Sequence, residues 1–171
     1  YVGQKQGYRN KAATPGLPRN QRRKAVIDHA FVHSVLDDHS RIVYSEVHDD
    51  ERAETAIAVL RRAVFWFLAH GVVIEEVLSD NGACYRSGLW HRACQATATA
   101  VRKTRPRRPQ TNGKIERFHR ILLDEWAYIT PWHSETDRAT AYIGFCHFYN
   151  HHRSHGSLGW STPAAMLTRL A

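Results

Sequence analysis

The order of structural signals along the chain predicts an α/β protein, a mixed sheet with helices against its faces. Three observations carry that expectation. Two apolar runs, Ala30–Leu36 and Arg41–Val47, flank Asp37-Asp38-His39-Ser40, whose short polar side chains favour a turn, so this stretch reads as a hairpin. Ala53, Ile57, Leu60, Val64, Phe67 and Leu68 then recur with the 3.6-residue period of one helical face. After that, short extended runs alternate with helical ones, giving strand, strand, helix, strand, helix, strand, helix, helix.

Residues 1–24 carry Lys5, Arg9, Lys11, Arg19, Arg22, Arg23 and Lys24 and no acid, with glycines and prolines that break any period. They read as a basic arm or long loop, and 25–171 as the folded core. Past the hairpin, a helix over Ala53–His70 ends at Gly71, a residue suited to a left-handed cap. Val72-Val73-Ile74 with Val77-Leu78 is the next extended piece, and it leads into Asp80. A helix over Leu89–Thr97 and a strand over Thr99–Lys103 follow. A basic loop stiffened by Pro106 and Pro109 then runs into a helix, with Thr111 or Asn112 as its cap. That helix carries Glu116 and reaches about Tyr128, with Ile115, Phe118 and Leu122 inward and Glu116 and Arg120 on another face. Ser134 caps a helix to about Tyr149, and Pro163 opens a last short one.

The chain has 171 residues, enough for one domain that buries roughly two-thirds of its unfolded surface. The formal charge of +8 points to a polyanionic partner. Cys84, Cys94 and Cys146 are widely spaced with no Cys-x-x-Cys, which reads as reduced thiols in a cytoplasmic protein and disfavours a zinc or disulfide framework. No apolar run has the length of a membrane span. His147, His151, His152 and His155 lie close together, and the first two have the i,i+4 spacing of a zinc pair. Capping, packing against a sheet edge or contact with a nucleic-acid backbone is the preferred reading. Trp66, Trp90, Trp126, Trp132 and Trp160 are scattered, as core and rim residues are.

Two acids stand out. Asp80 follows an apolar strand and precedes Asn81-Gly82, a pair that favours a positive-φ turn, and open α/β sheets place ligands just past their strand ends. Glu116 is the one acid among many bases. Thirty-five residues separate the two. Standing alone, Asp80 could be an ordinary Asx turn and Glu116 half of a solvated Glu–Arg pair with Arg120.

Ser79-Asp80-Asn81-Gly82 and Arg108-Pro109-Gln110-Thr111-Asn112-Gly113-Lys114-Ile115-Glu116-Arg117-Phe118-His119 resemble the second and third acidic segments of D-D-E transposases and retroviral integrases, above all the bacterial insertion-sequence branch. Asp37-Asp38-His39-Ser40-Arg41 and Phe148-Tyr149-Asn150-His151-His152-Arg153-Ser154-His155 resemble two further segments of that branch. The resemblance implies a ribonuclease-H-like mixed sheet of five strands with flanking helices. It also implies cleavage and strand transfer of DNA with two Mg²⁺ or Mn²⁺ ions, held by Asp80, Glu116 and a first Asp that bridges them. Mg²⁺ takes carboxylate oxygens, and paired ions assist both the attacking and the leaving oxygen.

Four strands are legible, and the expectation is that the central first strand, with its Asp, is missing because the chain starts downstream of it. Asp28 is the weak candidate for that acid. It stands three residues before Phe31, too close for a full antiparallel partner and a turn. The expected product is therefore a transposase or integrase core that is inactive as it stands, the alternative being a module that binds DNA or subunits without catalysis. DNA contact is expected from Arg102, Lys103, Arg105, Arg107, Arg108, Gln110, Asn112, Lys114, Arg117 and Arg120, the cations through phosphates. A homo-oligomer is implied, since transposition pairs two ends. Ala96-Thr97-Ala98-Thr99-Ala100 lacks the Gly and larger aliphatic residue usual there, so the strand after it is expected to pack loosely.

Overall fold

The computed structural model describes residues 30–104, 113–127 and 134–168. Strands β1 (Phe31–Leu36) and β2 (Val43–His48) pair antiparallel, from Leu36 opposite Val43 to Phe31 opposite His48. The turn between them is built by Asp37. Its Oδ2 accepts from both the backbone N–H and the hydroxyl of Ser40, each at 2.7 Å. Arg41 completes the reversal at a φ of 66°, a conformation that costs a non-glycine residue about 1–2 kcal/mol and is held here by the surrounding bonds.

Helix α1 spans Ala53–Ala69 and buries Ala56, Val59, Leu60, Ala63 and Phe67. The buried face is rotated from the predicted stripe. Leu60 and Phe67 are on it, Ile57 and Val64 flank it, and Leu68 is 57% exposed. The alanines explain the rotation, because small side chains let the helix lie close on the strands. Gly71, at φ 77°, follows the helix as expected and donates to the Leu68 carbonyl. The next strand starts later than predicted. The Val72 N–H is taken by the Phe67 carbonyl, so 72–75 fold back on the helix end, and β3 comprises Glu76–Ser79.

Two helices follow, α2 (Ala83–Arg86), which the sequence pattern did not show, and α3 (Gly88–Ala96), capped by the Ser87 hydroxyl accepting from the Trp90 N–H. Strand β4 (Ala100–Lys103) lies parallel to β3, from Glu76 opposite Ala100 to Ser79 opposite Lys103. Of β4 only Val101 is partly buried, and it packs against the core. Helix α4 (Gly113–Leu122) buries Ile115, Phe118 and Leu122 as predicted, then widens into a π-helical turn over Leu123–Ala127 that places Trp126 in the core. Helix α5 (Glu135–His151) is capped by the Ser134 hydroxyl, again as expected, and α6 (Pro163–Thr168) closes the chain after a 3₁₀ turn at Gly156–Leu158.

All four predicted strands are present. Among the described residues they form two separate pairs, β1–β2 and β3–β4. Asp28, the caps Thr111 and Asn112, Trp132 and any strand before residue 30 lie outside the described residues. Helices cover both faces as expected of this mixed α/β fold. Val32, Leu36 and Val43 pack with Ile115, Phe118, Leu122, Phe145 and Tyr149 of α4 and α5. Val35 and Ile42 pack on the opposite side with α1, Val77, Tyr85 and Trp90. Each such large side chain contributes about 1.5–3 kcal/mol by leaving water. Among the described residues no helix is long and apolar enough to cross a membrane.

Candidate functional site

Asp80 stands one residue past β3, where the strand delivers it to the sheet end. Its Oδ1 accepts from the Gly82 N–H at 2.8 Å, so it does form an Asx turn. The glycine is needed for space. Gly82 has a φ of −55°, not the positive value that Asn-Gly suggested, but a Cβ there would sit 2.9 Å from Asp80 Oδ1. Asn81 donates through Nδ2 to the Thr104 carbonyl, and the Thr104 N–H donates to the Ser79 carbonyl, which ties the end of β4 to this turn. Half-burial raises the Asp80 pKa, the Gly82 hydrogen bond opposes the rise, and the Glu51 charge adds to it. Glu51 was not singled out from the sequence. It lies 29 positions earlier, and only the fold brings its field to Asp80. Oδ2 of Asp80 has no hydrogen-bond partner among the described residues.

Glu116 sits in the first turn of α4 and is half-buried. Its neighbours fix the helix start. Ile115 is in the core, and Lys114 Nζ pairs with Asp38 Oδ2 at 2.6 Å and donates to the Asp38 carbonyl. Lys114 and Ile115 line one cavity with Glu76, Val77 and Leu78, so α4 begins beside the strand that ends at Asp80. Glu116 and Arg120 form no ion pair among the described residues, which removes the simple surface-pair reading.

The expected phosphate-contacting cations divide. Arg102 pairs through Nε with Glu76 at 2.7 Å, and Lys114 is held by Asp38. Lys103, Arg117 and Arg120 are exposed with no ion pair among the described residues. Arg105, Arg107, Arg108, Gln110 and Asn112 lie outside them.

In the histidine-rich segment His155 is buried, whereas His147, His151 and His152 are exposed. Asn150, which the sequence did not single out, holds the start of β2 through its side-chain amide. Arg153 makes two bonds to Glu125, at 2.8 and 2.5 Å. His147 and His152 meet through their Nε2 atoms at 3.3 Å, yet among the described residues no group of three or more His, Cys, Asp or Glu could hold a metal ion. Of the tryptophans, Trp90 and Trp126 are buried and Trp160 is 77% exposed.

A deeper polar cluster joins β1, β2, α4 and α5. Ser34 and Ser45 share a hydroxyl bond at 2.6 Å, Tyr142 donates to Ser45, and His119 Nε2 lies 3.4 Å from the Ser34 hydroxyl. Burial pushes the His119 pKa down to about 4. On the outer face, burial would raise the Glu46 pKa, but hydrogen bonds from Arg62, Tyr44 and His48 outweigh it and hold it at about 2.

The sequence matches the integrase core domain family over residues 14–109, and a second integrase core domain profile over 98–163. The ORF3 product of Spiroplasma virus SpV1-C74, an inferred integrase, is 27% identical over 154 residues, covering 82% of this chain and 42% of that protein. Transposase InsD of the Escherichia coli insertion element IS2 is 27% identical over 96 residues, covering 56% of this chain and 32% of that protein. The chain thus spans less than half the length of these curated relatives. Among solved structures, the catalytic core domain of BIV integrase superposes with a TM-score of 0.65 at 21% identity, covering 84% of this chain and 88% of that one. A chain of the simian T-cell lymphotropic virus intasome in complex with PP2A regulatory subunit B56 gamma gives 0.65 at 18% identity, covering 93% and 61%. These likenesses show a ribonuclease-H-like fold.

Proposed function

Because the chain belongs to the integrase core family, we propose that it is the part of a DNA transposase that handles the phosphodiester, with Asp80 and Glu116 as its metal-holding carboxylates. The observation that carries this reading is the setting of Asp80. It is a half-buried carboxylate at a strand end, with one oxygen fixed by the Gly82 N–H and the other with no hydrogen-bond partner among the described residues. In this reading residues 1–24 are a basic arm or loop and 25–171 the core, in a cytoplasmic protein.

Carboxylate oxygens are the donors that Mg²⁺ and Mn²⁺ take, so Asp80 and Glu116 fit these ions by chemistry. No group of three donors is assembled among the described residues, so an ion held by these carboxylates would need further oxygen donors. Two such ions, when bound, activate the attacking oxygen and stabilise the leaving one. The protein's own contribution is placement. Gly82 fixes the Asp80 carboxylate, the Lys114–Asp38 pair fixes the helix start that carries Glu116, and Lys103, Arg117 and Arg120 hold phosphates. Arg105, Arg107, Arg108, Gln110 and Asn112, with Arg102 and Lys114, are the further DNA-contacting residues of this reading. Joining two DNA ends calls for at least two copies of the chain.

Titration with Mn²⁺ tests the reading. Asp80→Asn and Glu116→Gln should each weaken binding about tenfold or more, with the circular dichroism spectrum unchanged. Unchanged Mn²⁺ affinity in both variants removes the assignment. The net charge of +8, which attracts DNA without any metal, also fits a second reading, a module that binds DNA or partner subunits without catalysis. In that case duplex binding persists with no metal-dependent nicking and no response to either substitution.

A further inference from the structure

In sequence, His147 and His151 stand four residues apart, the spacing that places two side chains on one helical face. Their rings do lie side by side, with centroids 4.8 Å apart. The nitrogens that meet, however, are Nε2 of His147 and Nε2 of His152, at 3.3 Å. In a continuous helix, residues five apart point about 140° away from each other. His152 escapes that limit because α5 ends at His151 and the backbone of His152 turns to a φ of −124°. The end of the helix therefore makes the pair.

The separation suits a metal ion better than a hydrogen bond. An N–H hydrogen bond normally spans about 2.7–3.2 Å, so 3.3 Å is long for one. Two nitrogens on a tetrahedral Zn²⁺, each about 2.0–2.1 Å from the ion, stand about 3.3–3.4 Å apart. Neighbouring nitrogens of a square-planar Cu²⁺ or Ni²⁺ site, set at right angles with similar bond lengths, would stand only about 2.9 Å apart. Imidazole nitrogen is a donor that Zn²⁺ takes, whereas Mg²⁺ prefers oxygen.

The surroundings hold the pair ready. The His151 ring lies beside His147, and the Phe148 ring is stacked on His152 with centroids 6.4 Å apart. Both histidines are exposed, so water can take the Nδ1–H of each while Nε2 keeps its lone pair. The last turn of a helix carries partial negative charge, which favours a cation there. Among the described residues no third His, Cys, Asp or Glu completes a donor set, so two tetrahedral positions stay open to water.

We propose that His147 and His152 form a surface Zn²⁺ site that pins the end of α5. The ion ties the last helical turn to the residue just beyond it. Between the two ligands stands Asn150, which holds Val43, and directly after them comes Arg153, which bonds Glu125. Locking this turn steadies the contacts of α5 with β2 and with the π-helical turn after α4. The site is independent of any role for Asp80 or Glu116.

The test is calorimetric titration of the full chain with Zn²⁺ in excess Mg²⁺, which occupies carboxylate sites and leaves imidazoles free. Saturable binding is expected, with a higher urea midpoint once the site is filled. His147→Gln and His152→Gln should each weaken binding about tenfold or more and abolish the rise in midpoint. Both positions are exposed, so the variants keep the fold and the circular dichroism spectrum. His151→Gln should leave affinity and midpoint nearly unchanged. No saturable binding at millimolar Zn²⁺, or binding that leaves the urea midpoint unmoved, overturns the proposal. So does binding lost in His151→Gln but kept in His152→Gln, which assigns the ion to the i,i+4 pair. Binding that none of the three substitutions alters is adventitious and overturns it as well.

Discussion

The side-chain amide of Asn150 makes both hydrogen bonds that a strand neighbour would make to Val43. Its Oδ1 accepts from the Val43 N–H at 2.9 Å, and its Nδ2 donates to the Val43 carbonyl at 2.8 Å. The two residues are 107 positions apart, so one side chain at the end of α5 fixes where β2 begins. Asn150→Leu leaves two backbone groups unpaired in a buried setting, at about 1–3 kcal/mol each. The expected result is an unfolding free energy lowered by about 2–6 kcal/mol, read as a lower urea midpoint at unchanged slope, with Asn150→Asp intermediate. A loss below about 0.5 kcal/mol for the leucine variant would show that water replaces the clamp.

The second prediction concerns Gly82. A methyl group there would lie 2.9 Å from Asp80 Oδ1 and must push the carboxylate aside. Gly82→Ala should therefore weaken Mn²⁺ binding about tenfold. Asn81→Ala, which removes only the tie to Thr104, should weaken it less. Equal effects, measured by calorimetry, would mean that the turn as a whole matters and the carboxylate position does not.

The third concerns DNA. Affinity for any duplex should fall with salt at a log–log slope of roughly −0.9 per phosphate neutralised. Replacing Lys103, Arg117 and Arg120 together by alanine should flatten that slope by about two to three units. Arg102→Ala should change it less, because Glu76 already neutralises that guanidinium. A slope that the triple variant leaves unmoved assigns these side chains to ordinary solvated surface.

The fourth concerns pH. The His119 pKa is lowered from 6.5 to about 4 in the folded state. Between those values the unfolded chain binds a proton that the folded chain refuses. The stabilisation is thus complete above pH 6.5 and is lost as pH falls toward 4, by about 3 kcal/mol in total. Glu46, held at about 2, loses its share at lower pH, from about 4.5 downward. His119→Gln should flatten the dependence of the urea midpoint between pH 6.5 and 4, with burial of His33 leaving a residual slope of the same sign.

Local chemistry was the legible part of the sequence. The hairpin followed from Asp37 and Ser40, the α5 cap from Ser134 and the end of α1 from Gly71, each a matter of a few adjacent residues. The buried face of α1 was less so, because two alanines outweigh the larger side chains when close approach to the strands decides. Asp80 and Glu116 were visible as motif residues, but the reason for Gly82 was not, since a steric limit 2.9 Å from a carboxylate leaves no trace in composition. Glu51, Asn150 and the engagement of Arg102 and Lys114 by acids depend on segments that meet only in the fold.

The turn at Asp37 also bears on the order of folding. Its bonds all lie within six residues, including Asp37 N–H to the Ile42 carbonyl at 2.9 Å and Arg41 N–H to the Asp37 carbonyl at 3.0 Å. The β1–β2 register is therefore set by local contacts that close on the microsecond scale. Strands β3 and β4 are parallel and need α2 and α3 between them before they can meet, a non-local step that loop-closure entropy slows. The hairpin is thus the natural early structure and the β3–β4 pair the late one. Asp37→Ala should slow refolding more than it speeds unfolding, whereas a destabilising change in β4, such as Val101→Ala, should act mainly on unfolding.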